Sequence, residues 1–222
     1  MRLVFYGGGD EDENISLNHA LIKLVKSNNP VVTYIPACSY DADIEFSYFA
    51  RHFKKFHISR MINFPADIPF TDILLREVLK SDIIYLGGGN TFYFLKTLKE
   101  AGLIPKLKKY ALEGGILSGL SAGAIIMTPN VKTASFPSFD CDLNEEKVTN
   151  LSSMNLVDFE FFPHYKNSIR YEDELKKYSN KINRPLYACP DGCGIILDQD
   201  KISFIGKNYC FYKGKKILLK AA

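Results

Sequence analysis

Gly119-Leu120-Ser121-Ala122-Gly123 sets a serine between glycines, after the apolar run Ile116-Leu117-Ser118 and before Ala124-Ile125-Ile126-Met127. G-x-S-x-G at a strand-to-helix junction is the pattern that lifts a serine hydroxyl onto a sharp elbow. Glycine neighbours leave room for a turn that bulkier side chains would block, and the helix that follows aims its first N–H groups at developing negative charge. The same residues also suit a plain strand-to-helix turn packed with small side chains. A serine hydroxyl becomes a strong nucleophile only when a base takes its proton. Of the four histidines, His19, His52 and His57 fall in helical or helix-end stretches, where a solvated or packed imidazole is the ordinary account. His164 differs. It follows Phe161-Phe162-Pro163, where a chain leaves a strand, and open α/β sheets form their sites at the carboxyl ends of strands.

The base needs an acid to fix its tautomer and stabilise the imidazolium. Asp191, in Cys189-Pro190-Asp191-Gly192, lies just past a predicted strand and gives the order Ser, His, Asp. Asp140 or Asp142 would give Ser, Asp, His, the order of the α/β-hydrolases. A residue anchored at a strand end is held more rigidly than one in a long loop, so Asp191 is preferred; the alternative reading is an ordinary Asp-Gly turn. An oxyanion hole needs backbone N–H donors. Gly89, in Gly87-Gly88-Gly89-Asn90-Thr91, offers one and Ala122 the other. Neither glycine run fills a phosphate-binding pattern. Gly89 is not followed by Gly-Lys-Ser/Thr, and after Gly7-Gly8-Gly9 the G-x-G-x-x-G spacing fails at Asp12. The carboxylates of Asp10 to Glu13 would repel a pyrophosphate, so Gly7-Gly8-Gly9 reads as a strand-to-helix turn.

Positioning such groups falls to the elements between them. Apolar runs at 3–6, 31–35, 59–64, 83–86 and 116–120 alternate with amphipathic stretches such as 14–27 and 71–79, the mark of βαβ units and a parallel sheet covered on both faces. Residues 129–155 have weak periodicity and many Ser, Asn and Asp, and read as a long excursion. A charged helix is expected over 170–180. Short runs at 186–189, 195–197, 202–205 and 210–212, separated by turns, read as antiparallel or edge strands finishing the sheet. The expected fold is a single three-layer α/β domain over residues 1–222, its mostly parallel sheet flanked by helices.

Composition excludes several functions. The 28 basic and 25 acidic residues are spread along the chain, so a formal charge of +3 points to neither nucleic acid nor a membrane surface. No apolar run approaches the roughly 20 residues of a membrane span, and the glycine turn comes too early for a signal peptide, which makes a cytoplasmic location the expectation. The five cysteines have neither paired spacing nor a nearby histidine pair, and read as reduced, mostly buried thiols rather than a metal site or disulfide framework.

Taken together, Gly87-Gly88-Gly89-Asn90-Thr91-Phe92, Gly119-Leu120-Ser121-Ala122-Gly123-Ala124 and Phe162-Pro163-His164-Tyr165 resemble the peptidase E family of serine peptidases, the aspartyl dipeptidases of family S51, whose wider clan includes the cyanophycinases. The likeness extends over nearly the whole chain in order and spacing. It implies a class I glutamine amidotransferase-like fold, Ser121 as nucleophile, His164 as base and Gly89 as oxyanion donor. Where the family often has a late Glu-Gly pair as the third member, this chain has Asp191-Gly192. The family's arginine after the histidine motif, which recognises an N-terminal aspartate, would be Arg170. The expected activity is hydrolysis of short peptides, aspartyl dipeptides among them, through an acyl-enzyme and with no metal or organic cofactor. The expected partner is a small peptide, and the expected state a monomer or homodimer. Two other readings stand beside it: a cyanophycinase-like β-aspartyl hydrolase, and a non-catalytic amidotransferase-like binding module.

Overall fold

The computed structural model describes residues 1–219. In chain order its first elements are β1 (Arg2–Tyr6), α1 (Ile15–Lys23), β2 (Val31–Ile35), α2 (Ala42–Phe53), β3 (Arg60–Asn63), α3 (Asp72–Val78) and β4 (Ile83–Leu86). Then come α4 (Thr91–Glu100), α5 (Leu103–Leu112), β5 (Ile116–Leu120), α6 (Ala122–Ile126), β6 (Glu160–Phe162) and α7 (Ile169–Ser179). The chain closes with β7 (Leu186–Ala188), β8 (Gly194–Asp198), β9 (Lys201–Ile205), β10 (Asn208–Tyr212) and β11 (Lys215–Leu219).

Alternation along β1 decides the layering. Its side chains point to opposite faces in turn, and Leu3, Val4, Phe5 and Tyr6 are all fully buried, so both faces are covered. Leu3 and Phe5 join a core with Leu75 of α3, Leu95 of α4, Leu107 of α5 and Ile125 of α6. Val4 and Tyr6 join another with Leu17 and Leu21 of α1 and Phe49 and Phe53 of α2. Each large apolar side chain taken fully out of water contributes about 1.5–3 kcal/mol, which is what holds helices against the sheet. That sheet has seven strands in the order β3-β2-β4-β5-β1-β8-β9. Neighbours from β3 to β1 are parallel, and β8 and β9 run antiparallel. The architecture is the expected mixed α/β fold with a mostly parallel sheet flanked by helices.

Helix starts follow side-chain chemistry. Asn90 Oδ1 accepts from the N–H groups of Phe92 and Tyr93, both at 3.0 Å, and caps α4. Thr71 Oγ1 accepts from Leu74 N at 3.2 Å and caps α3. The helix expected over 14–27 stops at Lys23, and the excursion at 129–155 contains only a 3-10 turn, Lys132–Ser135, and an isolated bridge between Asn130 and Ser152. Among the described residues no helix is long and apolar enough to cross a membrane. All five cysteines are free; Cys189 and Cys210 are buried, whereas Cys38, Cys141 and Cys193 are half-buried, fewer buried than expected.

One expectation changes. The runs at 195–197 and 202–205 do finish the main sheet, as β8 and β9, but those at 186–189 and 210–212 belong to a second, four-stranded sheet of order β11-β10-β7-β6. The reason is pairing. β7 is parallel to β6, with Glu160 opposite Leu186, and antiparallel to β10, so both its edges are taken, while β8 fills the free edge of β1. Helix α7 covers this sheet by packing Tyr171, Leu175 and Tyr178 on Phe162, Leu186 and Phe211.

Aromatic rings join the two sheets. Phe5 of β1 lies 5.2 Å from Phe159 and 5.5 Å from Phe161, ring centre to ring centre, and Phe159 lies 4.9 Å from Tyr187 of β7. Phe5→Ala removes the central ring of this contact and leaves a cavity in a fully buried site. It should cost about 3–5 kcal/mol, read as a lower urea midpoint followed by circular dichroism.

Candidate active site

The site grows from the carboxyl ends of β1, β4, β5, β6 and β7. Ser121 follows β5 directly, with φ 50° and ψ −107°, a left-handed conformation that a side chain adopts at a cost of about 1–3 kcal/mol. It is held there. Ser121 N donates to Tyr6 O at 3.1 Å, and Gly123 N donates to Gly87 O at 3.1 Å, tying the elbow to the ends of β1 and β4. The glycines of G-x-S-x-G are required by close approach: a Cβ on Gly119 would stand 2.3 Å from Gly123 C, and one on Gly123 would stand 2.3 Å from Leu86 O.

His164 comes from beyond β6 and also has a positive φ, 52°. Its N–H donates to Gly7 O at 2.6 Å, so the residue is registered on the turn after β1. Its ring lies between two partners: Nε2 is 2.8 Å from Ser121 Oγ, and Nδ1 is 2.7 Å from Asp191 Oδ1. With the imidazole proton on Nδ1, the ring donates to the carboxylate and accepts from the serine hydroxyl, the tautomer that the acid favours. Asp191 sits in the turn after β7, which is stitched to the β1 turn by Gly192 N donating to Gly8 O at 3.2 Å and Gly7 N donating to Cys193 O at 2.8 Å.

The Gly7-Gly8-Gly9 turn is thus more than the strand-to-helix connection its sequence suggests. Gly8 has φ +129°, and a Cβ there would lie 2.2 Å from Asp191 Oδ1 and 2.3 Å from His164 Nδ1. The turn is the floor on which the histidine and its acid rest. Its contribution is carbonyl groups and missing side chains, which leave no signature beyond three consecutive glycines.

Beside Ser121 opens a cavity of about 430 Å³, lined among others by Gly89, Thr133, Phe136, Asp140, Asp142 and Phe162. Gly89 reaches it with φ +136°, and Ala122, fully buried, opens α6. Among the described residues no hydrogen bond engages the amide N–H of Gly89 or Ala122. Thr133, which the sequence does not single out, is 2% exposed and lines the same cavity with an unpartnered Oγ1. Asp140 and Asp142 do not approach the imidazole: Asp140 accepts from the Tyr171 hydroxyl, and Asp142 Oδ2 accepts from Thr91 N at 2.8 Å at the start of α4. Arg170 lies outside the lining, its guanidinium carbon 3.4 Å from the ring centre of Phe139. Among the described residues no group of three or more His, Cys, Asp or Glu side chains is arranged to hold a metal ion.

Comparison with known proteins shows the family and the fold. A family model described as peptidase family S51 matches residues 3–205. An uncharacterized peptidase of Listeria innocua is 38% identical over 111 residues, covering 50% of this chain and 50% of its own. A peptidase E of Salmonella arizonae is 27% identical over 117 residues, covering 53% of this chain and 48% of its own. The chain therefore matches about half the length of these two relatives. The crystal structure of a peptidase from an acI-B1 actinobacterium superposes with a TM-score of 0.74 at 17% identity, covering 100% of this chain and 94% of that one, and so shares the fold.

Gly8→Ala tests the floor of the site. The added methyl group must displace the imidazole or the carboxylate, and a shift of about 1 Å in a positioned group costs about 10²-fold in rate. Labelling of Ser121 by a fluorophosphonate, followed by mass spectrometry, should slow by about that factor.

Proposed function

Since the chain belongs to peptidase family S51, we propose that this peptidase is of the serine type and hydrolyses short peptides through an acyl-enzyme. The observation that carries the reading is the continuous relay Ser121 Oγ, His164 Nε2, His164 Nδ1, Asp191 Oδ1, with contacts of 2.8 and 2.7 Å. Each residue takes a distinct part. His164 accepts the hydroxyl proton as Ser121 attacks the peptide carbonyl, then returns it to the leaving amine. Asp191 holds the ring tautomer and stabilises the imidazolium. The amides of Gly89 and Ala122 donate to the oxyanion of the tetrahedral intermediate. Water, deprotonated by the same imidazole, then opens the ester and frees the acid product. No step calls on a metal or organic cofactor.

The cavity supports a short substrate. About 430 Å³ walled by loops suits a few residues rather than an extended polypeptide, in keeping with the resemblance to the dipeptidases. Preference for an N-terminal aspartate, the specificity the resemblance implies, has no support from Arg170, whose cation is stacked on Phe139 and which is not among the residues lining the cavity.

The test is a panel of dipeptides and tripeptides followed by release of free amine. Ser121→Ala and His164→Ala should each lower kcat by about 10⁴-fold or more, and Asp191→Asn by about 10⁴-fold, with thermal unfolding of Ser121→Ala close to that of the parent. Equal turnover by Ser121→Ala would overturn the reading.

A further inference from the structure

Gly9, Gly88 and Leu120 line the Ser121 cavity and also a second cavity of about 230 Å³. The second cavity is walled by the rings of Tyr34, Phe49 and Tyr85, whose centres lie 4.9 Å (Tyr34 to Phe49) and 5.0 Å (Phe49 to Tyr85) apart. Glu11 and Glu45 face the same space. Glu45 Oε2 accepts from the Tyr34 hydroxyl at 3.1 Å, whereas Glu11 has no hydrogen bond or ion pair among the described residues. Among the described residues neither cavity is lined by a lysine or an arginine.

An acidic wall alone names no ligand, but Asn14 adds an independent feature. It is 4% exposed and lines this cavity, its Nδ2 donating to Gly9 O at 3.1 Å and Asp10 O at 2.8 Å, which leaves Oδ1 a buried acceptor with no partner. An orphaned buried acceptor costs free energy until a donor reaches it. Two carboxylates and aromatic faces call for the same kind of group, since a ring face attracts a cation and a half-buried carboxylate gains from one. Burial already pushes the Glu45 carboxyl above its ordinary range. A donor that is cationic and carried on an alkyl stem meets all of these demands at once.

We propose that this second cavity is a subsite for the cationic side chain, lysyl or arginyl, of a peptide held at Ser121. The stem lies along the Phe49 and Tyr85 rings, and the ammonium or guanidinium donates to Asn14 Oδ1 and pairs with Glu11 and Glu45. Asp140 and Asp142 add negative charge to the adjoining cavity, so an acidic side chain is disfavoured across the whole site. The inference rests on the peptidase reading given above, for which it supplies the substrate class.

Binding to the Ser121→Ala protein by isothermal titration calorimetry tests it without turnover. The probes are Lys-Ala and Ala-Lys, each against its norleucine counterpart, which keeps the stem and lacks the charge. At one of the two positions the lysyl peptide should bind about tenfold tighter than the norleucyl one, the gain expected of charge-assisted hydrogen bonds in a half-buried site. In Glu11→Gln/Glu45→Gln on the same background that ratio should fall to about one. Equal affinities at both positions, no measurable binding of either lysyl peptide, or a preference that survives the double substitution overturns the proposal. Loss of hydrolysis in the parent protein bears instead on the peptidase reading, because calorimetry on the serine-less protein does not depend on it.

Discussion

A single backbone conformation, φ 50° at Ser121, is the constraint around which the other parts are arranged. An L-residue adopts it only where surrounding contacts over-determine it. Here they come from three strands: Tyr6 O at the end of β1 accepts from Ser121 N, Gly87 O after β4 accepts from Gly123 N, and β5 delivers the chain into the turn. The strain is offset by burial of α6, in which Ala122, Ala124 and Ile126 are fully buried. The parallel sheet thus does more than supply a core. It brings three carboxyl ends level, so that one turn can be gripped from both sides.

Charge illustrates how local arrangement escapes composition. The chain is formally +3, yet the two cavities meeting at Gly88 are lined by Glu11, Glu45, Asp140 and Asp142 and, among the described residues, by no lysine or arginine. Basic residues are engaged elsewhere: Arg170 on Phe139, Arg60 with Glu77, Lys216 with Glu172. An average over the surface says little about the field inside a cleft, where low-dielectric walls concentrate the charge that faces it.

The sheet and the elbow were legible because their signals are local. Runs of apolar residues separated by amphipathic stretches identify β1, β2, β4 and β5 within a residue of their observed ends, and glycines mark the turns that need them. His164 and Asp191 were legible as residues just past strands, though their contact across 27 positions is a property of the fold. The second sheet was not legible as such. Strands of three residues, one of them opening on the buried Glu160, show no periodicity, and pairing partners are chosen by edges left free after the main sheet forms. Thr133 and the floor made by Gly8 were hidden for another reason: an unpartnered hydroxyl and an absent Cβ gain meaning only from neighbours distant in sequence.

The relay at the site is divided between the two sheets, with Ser121 at the end of a strand of the first and His164 and Asp191 beyond strands of the second. Ribosomal synthesis delivers these parts in that order. A nascent chain that has completed β5 and α6 carries a serine hydroxyl with no base beside it. His164 and Asp191 come into line with Ser121 only once β6 and β7 have paired and their turns have settled on Gly7 and Gly8, so the contact that can activate the hydroxyl is a property of the finished molecule.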